Sequence, residues 1–100
     1  MSEQPALGLL VTLESKPGKQ DEVVDFLNAG LDAVGREPGT VTWYAFRLGE
    51  TTFGIYDTFR DEAGREAHLS GEVAEALGKV SGDLFARPPD IRPIDIIAAK

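Results

Sequence analysis

Cysteine is absent from all 100 residues, which removes disulfide cross-links, thiolate-held metal and a cysteine nucleophile together. Histidine occurs once, at His68, and tryptophan once, at Trp43. A metal site of nitrogen and oxygen ligands would need His68 joined by several converging carboxylates. Neither a His-x-x-x-His nor an Asp-x-Asp pattern is present, so no metal is expected. Gly-rich phosphate loops and a Gly-x-Ser-x-Gly elbow are also missing. No apolar run approaches the roughly 18 residues of a membrane span. The first residues, Met1 to Pro5, lack the basic region and apolar stretch of a signal peptide, so a cytoplasmic protein is expected. Positive charge is scarce: ten Lys and Arg stand against seventeen Asp and Glu, a formal charge of −7. The basic residues are scattered rather than gathered into a stripe, which argues against nucleic acid and against an anionic membrane surface as partners.

What is present is a 42% apolar chain long enough to close one core, hence a single domain over residues 1–100. From Leu7 to Leu13 the residues are nearly continuously apolar, the pattern of a central strand. Turn chemistry at Ser15-Lys16-Pro17-Gly18 precedes an amphipathic helix from Lys19 to about Gly35, with Val23, Phe26, Leu27, Leu31 and Val34 at helical spacing. Gly35 and Pro38-Gly39 end it, because proline lacks an amide donor and disfavours helix in the residue before it. Two runs rich in β-branched and aromatic residues, Thr40 to Leu48 and Thr52 to Phe59, are joined tightly by Gly49-Glu50-Thr51 as a hairpin. A helical segment then runs from Arg60-Asp61-Glu62 to about Val80, interrupted or bent near Gly71. After a loop at Arg87-Pro88-Pro89-Asp90, Ile91 to Ala98 forms a last strand, with Pro93 placing it at an edge or a bulge.

This order specifies an α+β, ferredoxin-like βαββαβ fold: four antiparallel strands with both helices on one face. Apolar residues of both parities occupy the strands, with Leu9, Val11, Val41, Trp43 and Ala45 in one set and Leu10, Tyr44, Phe46 and Leu48 in the other. Covering the second face with another copy of the same sheet predicts a homodimer.

His68 is the one side chain that titrates near neutral pH. Gly64, Ala67 and Gly71 around it are small and predict room beside the ring, as a general acid or base requires. A half-exposed histidine bonded to a carbonyl or to a partner subunit is the alternative. Asp61-Glu62 and Asp21-Glu22 are explained as helix N-terminal charges. Trp43, Tyr44, Phe46, Phe53, Tyr56 and Phe59 place six of the eight aromatics on one hairpin. They form either cross-strand core pairs or the wall of a cavity for a small aromatic molecule. Asp57, an acid within a strand, would orient a substrate hydroxyl, raise the basicity of His68, or pair with Arg47.

Glu37-Pro38-Gly39-Thr40, the strand Phe53-Gly54-Ile55-Tyr56-Asp57-Thr58-Phe59, Asp61-Glu62-Ala63 and His68-Leu69-Ser70 together resemble the antibiotic biosynthesis monooxygenase-like proteins. Pro88-Pro89-Asp90-Ile91 and Asp95-Ile96-Ile97-Ala98-Ala99-Lys100 are similar as well, so the resemblance spans the chain. It implies a dimeric α+β barrel with a ligand cavity between helices and sheet. It also implies a cofactor-independent monooxygenase acting on an aromatic quinol- or anthrone-like substrate. On that reading no cofactor is needed, His68 is the catalytic base or anion partner, and Tyr44, Phe46, Asp57 and Phe59 surround the substrate. Anthrone-oxidising members carry an asparagine and a tryptophan on the third strand, where this chain has Ile55 and Phe59. Haem-degrading relatives use a similar set, of which only His68 is matched. The family also contains stress-related or small-metabolite-binding homodimers without turnover, and isomerases, and these are the alternatives.

Overall fold

The computed structural model describes residues 6–100, and the reading of the first five residues lies outside them. Seven elements follow in order: β1 (Leu7–Glu14), α1 (Gln20–Val34), β2 (Thr40–Arg47), β3 (Thr52–Phe59), α2 (Glu62–Leu69), α3 (Glu72–Leu84) and β4 (Asp90–Asp95). The strands form one sheet in the order β2-β3-β1-β4 with every neighbour antiparallel, which is the ferredoxin-like arrangement. The interruption expected near Gly71 is a full break, where α2 stops at Ser70 and the chain restarts with Gly71 extended at the head of α3. Two bounds differ from expectation: α3 runs on past Val80 to Leu84. The last strand ends at Asp95 and does not continue to Ala98.

Local chemistry accounts for the element boundaries. Gly18 has φ of 80° in the turn before α1, a left-handed conformation open to glycine at little cost. Asp61 caps α2 by accepting the Gly64 amide at 2.8 Å, satisfying a donor that the first helical turn leaves free. Pro93 is accommodated because β4 is an edge strand, paired only with β1.

Register decides which side chains meet the helices. Leu9 lies opposite Asp57, Val11 opposite Ile55 and Leu13 opposite Phe53. These residues face α1 and α3, where Val11, Leu13, Val23, Leu27, Phe53, Ile55, Leu77, Leu84 and Phe85 form the core cluster. Each fully buried aliphatic or aromatic side chain there stabilises the fold by about 1.5–3 kcal/mol relative to exposure. On β2 an irregularity between Thr40 and Thr42 makes Val41 a bulge. Trp43, Ala45 and Arg47 then fall on the helix-facing side, opposite Asp57, Ile55 and Phe53.

The other sheet face has no helix on it. Tyr44 and Tyr56 stack with ring centroids 6.4 Å apart. Phe46 covers Gly54 so closely that a Cβ added there would lie 2.4 Å from its ring. Leu10 is 37% and Tyr44 59% exposed on this face. None of the helices formed by the described residues is long and apolar enough to cross a membrane.

Candidate functional site

Helix α2 is held against the loop after α1 by two glycines. A Cβ on Gly39 would lie 2.8 Å from the Gly64 Cα, and one on Gly64 would lie 2.9 Å from the Gly39 carbonyl oxygen. Backbone therefore touches backbone at a distance no larger residue permits. This corrects the expected role of the small residues around His68, which allow close packing and do not leave space beside the ring. Gly71 behaves in the same way: its Cβ position is 3.0 Å from the Ala67 carbonyl oxygen and 3.2 Å from Glu37 Oε2.

The close approach brings three ionisable residues from three elements together. His68 Nδ1–H donates to Glu37 Oε1 at 2.6 Å, and its Nε2 lies 3.0 Å from Asp57 Oδ2. The same Glu37 oxygen accepts from Thr40 Oγ1 at 2.8 Å. Asp57 is fully buried and His68 is 7% exposed, with the Phe59 ring tilted against the imidazole at 5.3 Å. Contact with Asp57 is a close ion pair without hydrogen-bond alignment, so both Asp57 oxygens and Glu37 Oε2 remain buried without a hydrogen-bond partner. Burial favours loss of the His68 proton, but the carboxylates of Asp57 and Glu37, one at each ring nitrogen, outweigh burial and raise its pKa above the usual 6.5. A carboxylate at each ring nitrogen thus favours the imidazolium form of the ring. An imidazolium has no free lone pair to accept a proton, which weighs against a general-base role in this arrangement.

Little space adjoins His68 and Asp57. Beside His68 and Asp57 the cavity is 30 Å³, walled by Leu9, Val11, Ile55, Leu77 and neighbouring apolar side chains. That volume suits a water or a diatomic molecule and not an aromatic ring. Between α1 and β2 a second cavity of 360 Å³ is lined by Leu27, Leu31, Trp43, Phe53 and other apolar side chains, with Asn28 and Arg47 as its polar members. Its volume lies in the range of small-molecule pockets. A third, of 220 Å³, lies where Trp43 forms one wall and Glu37 and Thr40 another.

The residues singled out in the sequence divide accordingly. His68, Asp57 and Phe59 come together on the helix-facing side. Tyr44 and Phe46 are on strand positions of the other face and line the 360 Å³ cavity, away from His68. A single substrate ringed by all five is therefore not what the register provides. Asp57 pairs with His68, and Arg47 instead bonds the carbonyls of Gly49 and Glu50 at 3.1 and 2.8 Å. Sequence reasoning missed Glu37 as a partner of His68, although it lies in the Glu37-Pro38-Gly39-Thr40 motif, gave no role to Asn28, and offered Arg47 only as a partner of Asp57. Among the described residues no group of three or more acids and histidines is placed to hold a metal ion. In the one candidate trio the imidazole stands between the two carboxylates, so their donors do not converge on a common point.

No protein-family model matches the sequence, and no curated protein does. Solved structures are similar over nearly the whole chain. A Nitrosomonas europaea protein of unknown function is 42% identical, with 99% of this chain and 96% of that one covered and a TM-score of 0.95. A Pseudomonas aeruginosa protein is 20% identical over 98% of this chain and 100% of its own, with a TM-score of 0.81. A protein named antibiotic biosynthesis monooxygenase is 16% identical over 92% of this chain and 99% of its own, with a TM-score of 0.79.

Proposed function

The chain belongs to the antibiotic biosynthesis monooxygenase-like fold family, and on that premise we propose that it is a cofactor-independent monooxygenase acting on an aromatic quinol- or anthrone-like substrate. The observation that carries this reading is the 360 Å³ apolar cavity between α1 and β2. For an anthrone-like substrate the overall change is conversion of a ring CH₂ to C=O by dioxygen. One oxygen atom stays on the carbon, and the other leaves with the two hydrogens as water. The substrate first loses a proton, and its anion donates electrons to dioxygen directly. The protein contributes a dry apolar wall and fixed polar groups that favour the anion. His68 enters this proposal as a fixed positive charge that joins α2 to β3 and the Glu37 loop, while the substrate proton passes to solvent at the cavity mouth.

The fold presents an uncovered sheet face with Leu10, Tyr44, Phe46 and Tyr56 on it, and we propose that a second copy covers it in a homodimeric barrel. Sedimentation at micromolar concentration then gives twice the chain mass, and a stable monomer would contradict the pairing. A second reading is a small-metabolite-binding or stress-related homodimer without turnover. The separation of the ionisable cluster from the large cavity favours it, because the two cavities share no lining residue.

Oxygen uptake with a panel of quinols and anthrones distinguishes the two, measured on the purified protein and on Ala45→Trp, which places an indole in the cavity. Uptake that the Trp variant abolishes supports the oxygenase. No uptake with any substrate sinks it and leaves the binding reading. In His68→Ala the rate per folded molecule should stay within about threefold, since general-base catalysis typically contributes 10²–10⁴-fold. A loss of that larger size would restore His68 as the base.

A further inference from the structure

The 360 Å³ cavity has one charged lining residue, Arg47, and no acidic one. In a chain of net charge −7 that is an unusual placement. Arg36, Arg65, Arg87 and Arg92 each have a carboxylate within ion-pair reach, on Glu72, Glu62, Glu14 and Asp90. Among the described residues Arg47 has none. Its guanidinium is fixed by other means: Nε donates to the Gly49 carbonyl at 3.1 Å, Nη2 donates to the Glu50 carbonyl at 2.8 Å, and Cζ sits 4.9 Å from the centre of the Phe53 ring. Phe53 is itself a wall of the cavity. The two carbonyls and the ring orient the group without neutralising it, and Nη1 keeps its donors. A preoriented guanidinium loses little conformational freedom when it meets a planar anion, and it matches a carboxylate in geometry as well as charge.

Two further side chains line the same space. Trp43 meets the cavity through its ring, since its Nε1 is itself buried and has no hydrogen-bond partner. The Asn28 amide nitrogen is engaged by the Val24 carbonyl at 3.1 Å, which leaves its oxygen as an acceptor. We propose that the cavity between α1 and β2 takes a flat aromatic molecule bearing a permanent carboxylate, with the rings against Trp43 and Phe53 and the carboxylate at Arg47. This proposal rests on the cavity being the substrate site, and it adds an anionic substituent distinct from the carbon or hydroxyl that would react.

Calorimetric titration of the whole protein with 2-naphthoate and with 2-naphthamide tests it, because the two probes share shape and differ in charge. Naphthoate should bind about tenfold more tightly, the scale of one charge-assisted contact. Arg47→Gln should erase that preference while naphthamide binding persists, and Arg47→Lys should restore part of it. The indole N–H resonance of Trp43, the only tryptophan, should shift on naphthoate binding, and Ala45→Trp should prevent binding of both probes. Equal affinity for the two probes, a preference unchanged in Arg47→Gln, or no binding of either would overturn the proposal. Oxygen uptake keeps the outcomes apart. Turnover of neutral quinols without any preference for anions retains the oxygenase and removes this site, whereas selective naphthoate binding without oxygen uptake does the reverse.

Discussion

Two regions on the same side of one sheet handle polarity in opposite ways. Around His68 the chain buries a cation between two carboxylates and leaves 30 Å³ of space. Around Trp43 it leaves 360 Å³ with no acid in the lining, and Glu37 lines only the neighbouring 220 Å³ cavity. Packing explains the contrast. Buried charges are tolerable only when their partners are held at contact distance, and the Gly39–Gly64 approach supplies that closeness at the first region. An apolar wall carries no such requirement, so the α1–β2 layer can remain open without leaving charges unpaired. Perturbed ionisation and open space thus fall in different places in this molecule, although perturbed groups often mark a site. On the reading proposed above, His68 serves the fold and the ligand takes the larger cavity.

The largest test of this contrast is removal of the cation. His68→Ala leaves the buried Asp57 and the half-buried Glu37 without a counter-charge, and loss of one partner of a buried pair costs about 3–5 kcal/mol. Urea denaturation followed by circular dichroism measures it, with a lower midpoint expected at unchanged slope. Combining Asp57→Asn with His68→Gln should recover part of the loss, since it removes charge on both sides. A loss below about 1 kcal/mol in His68→Ala, the scale of an exposed ion pair, would show that the cluster does not hold the fold together.

A smaller effect is expected from Gly64→Ala. The added Cβ would meet the Gly39 carbonyl oxygen at 2.9 Å, and backbone on both sides cannot yield as a flexible side chain does. Overpacking of this kind costs about 1–3 kcal/mol. Gly78→Ala is the control, because a Cβ there meets nothing within 4 Å. It should be neutral or slightly stabilising through helix propensity. Equal stability of the two variants would mean that α2 can shift without disturbing the cluster, and the contrast between a tight region and an open one would weaken.

The sequence made the element order legible because each boundary carries its own local chemistry. Gly18, the Pro38-Gly39 pair and the Asp61 cap each act within a few residues of where they stand. Membership of the fold family was legible partly for the same reason, since Glu37-Pro38-Gly39-Thr40 and Asp61-Glu62-Ala63 lie at these boundaries, and partly from the body of β3 between Phe53 and Phe59. The composition of the site was not. His68 meets Glu37 across 31 residues of chain, and nothing local to either residue specifies that meeting. Gly39 and Gly64 hinted at a close approach, but a glycine announces missing bulk without naming the neighbour that uses it. Tyr44 and Phe46 were separable from Trp43 and Ala45 by parity alone. Pairing that parity with Asp57 required the cross-strand register, which passes through the bulge at Val41, and a one-residue slip exchanges the two faces. Arg47 lay hidden because its importance consists in lacking a carboxylate partner, and a lack of contact is visible only when every neighbour has been placed.

The finest test concerns protonation. The His68 pKa is raised in the folded protein relative to its usual 6.5, so the folded state binds a proton more tightly than the unfolded chain does. The stabilisation from this group is therefore complete below about pH 6.5, where both states are protonated. As pH rises, the unfolded chain releases its proton first, and the advantage declines until the folded-state pKa has been passed. Denaturation midpoints measured from pH 6 upward should fall over that window, and in His68→Gln the fall should be smaller because the linked group is gone. The change must be smaller than the full cost of His68→Ala, since a neutral imidazole still fills its space and retains one ring N–H for a carboxylate. Affinity for naphthoate in the α1–β2 cavity should be flat over the same interval, because His68 is absent from that lining. Stability that falls while affinity holds would separate the two regions by titration alone, and parallel changes would join them into one site.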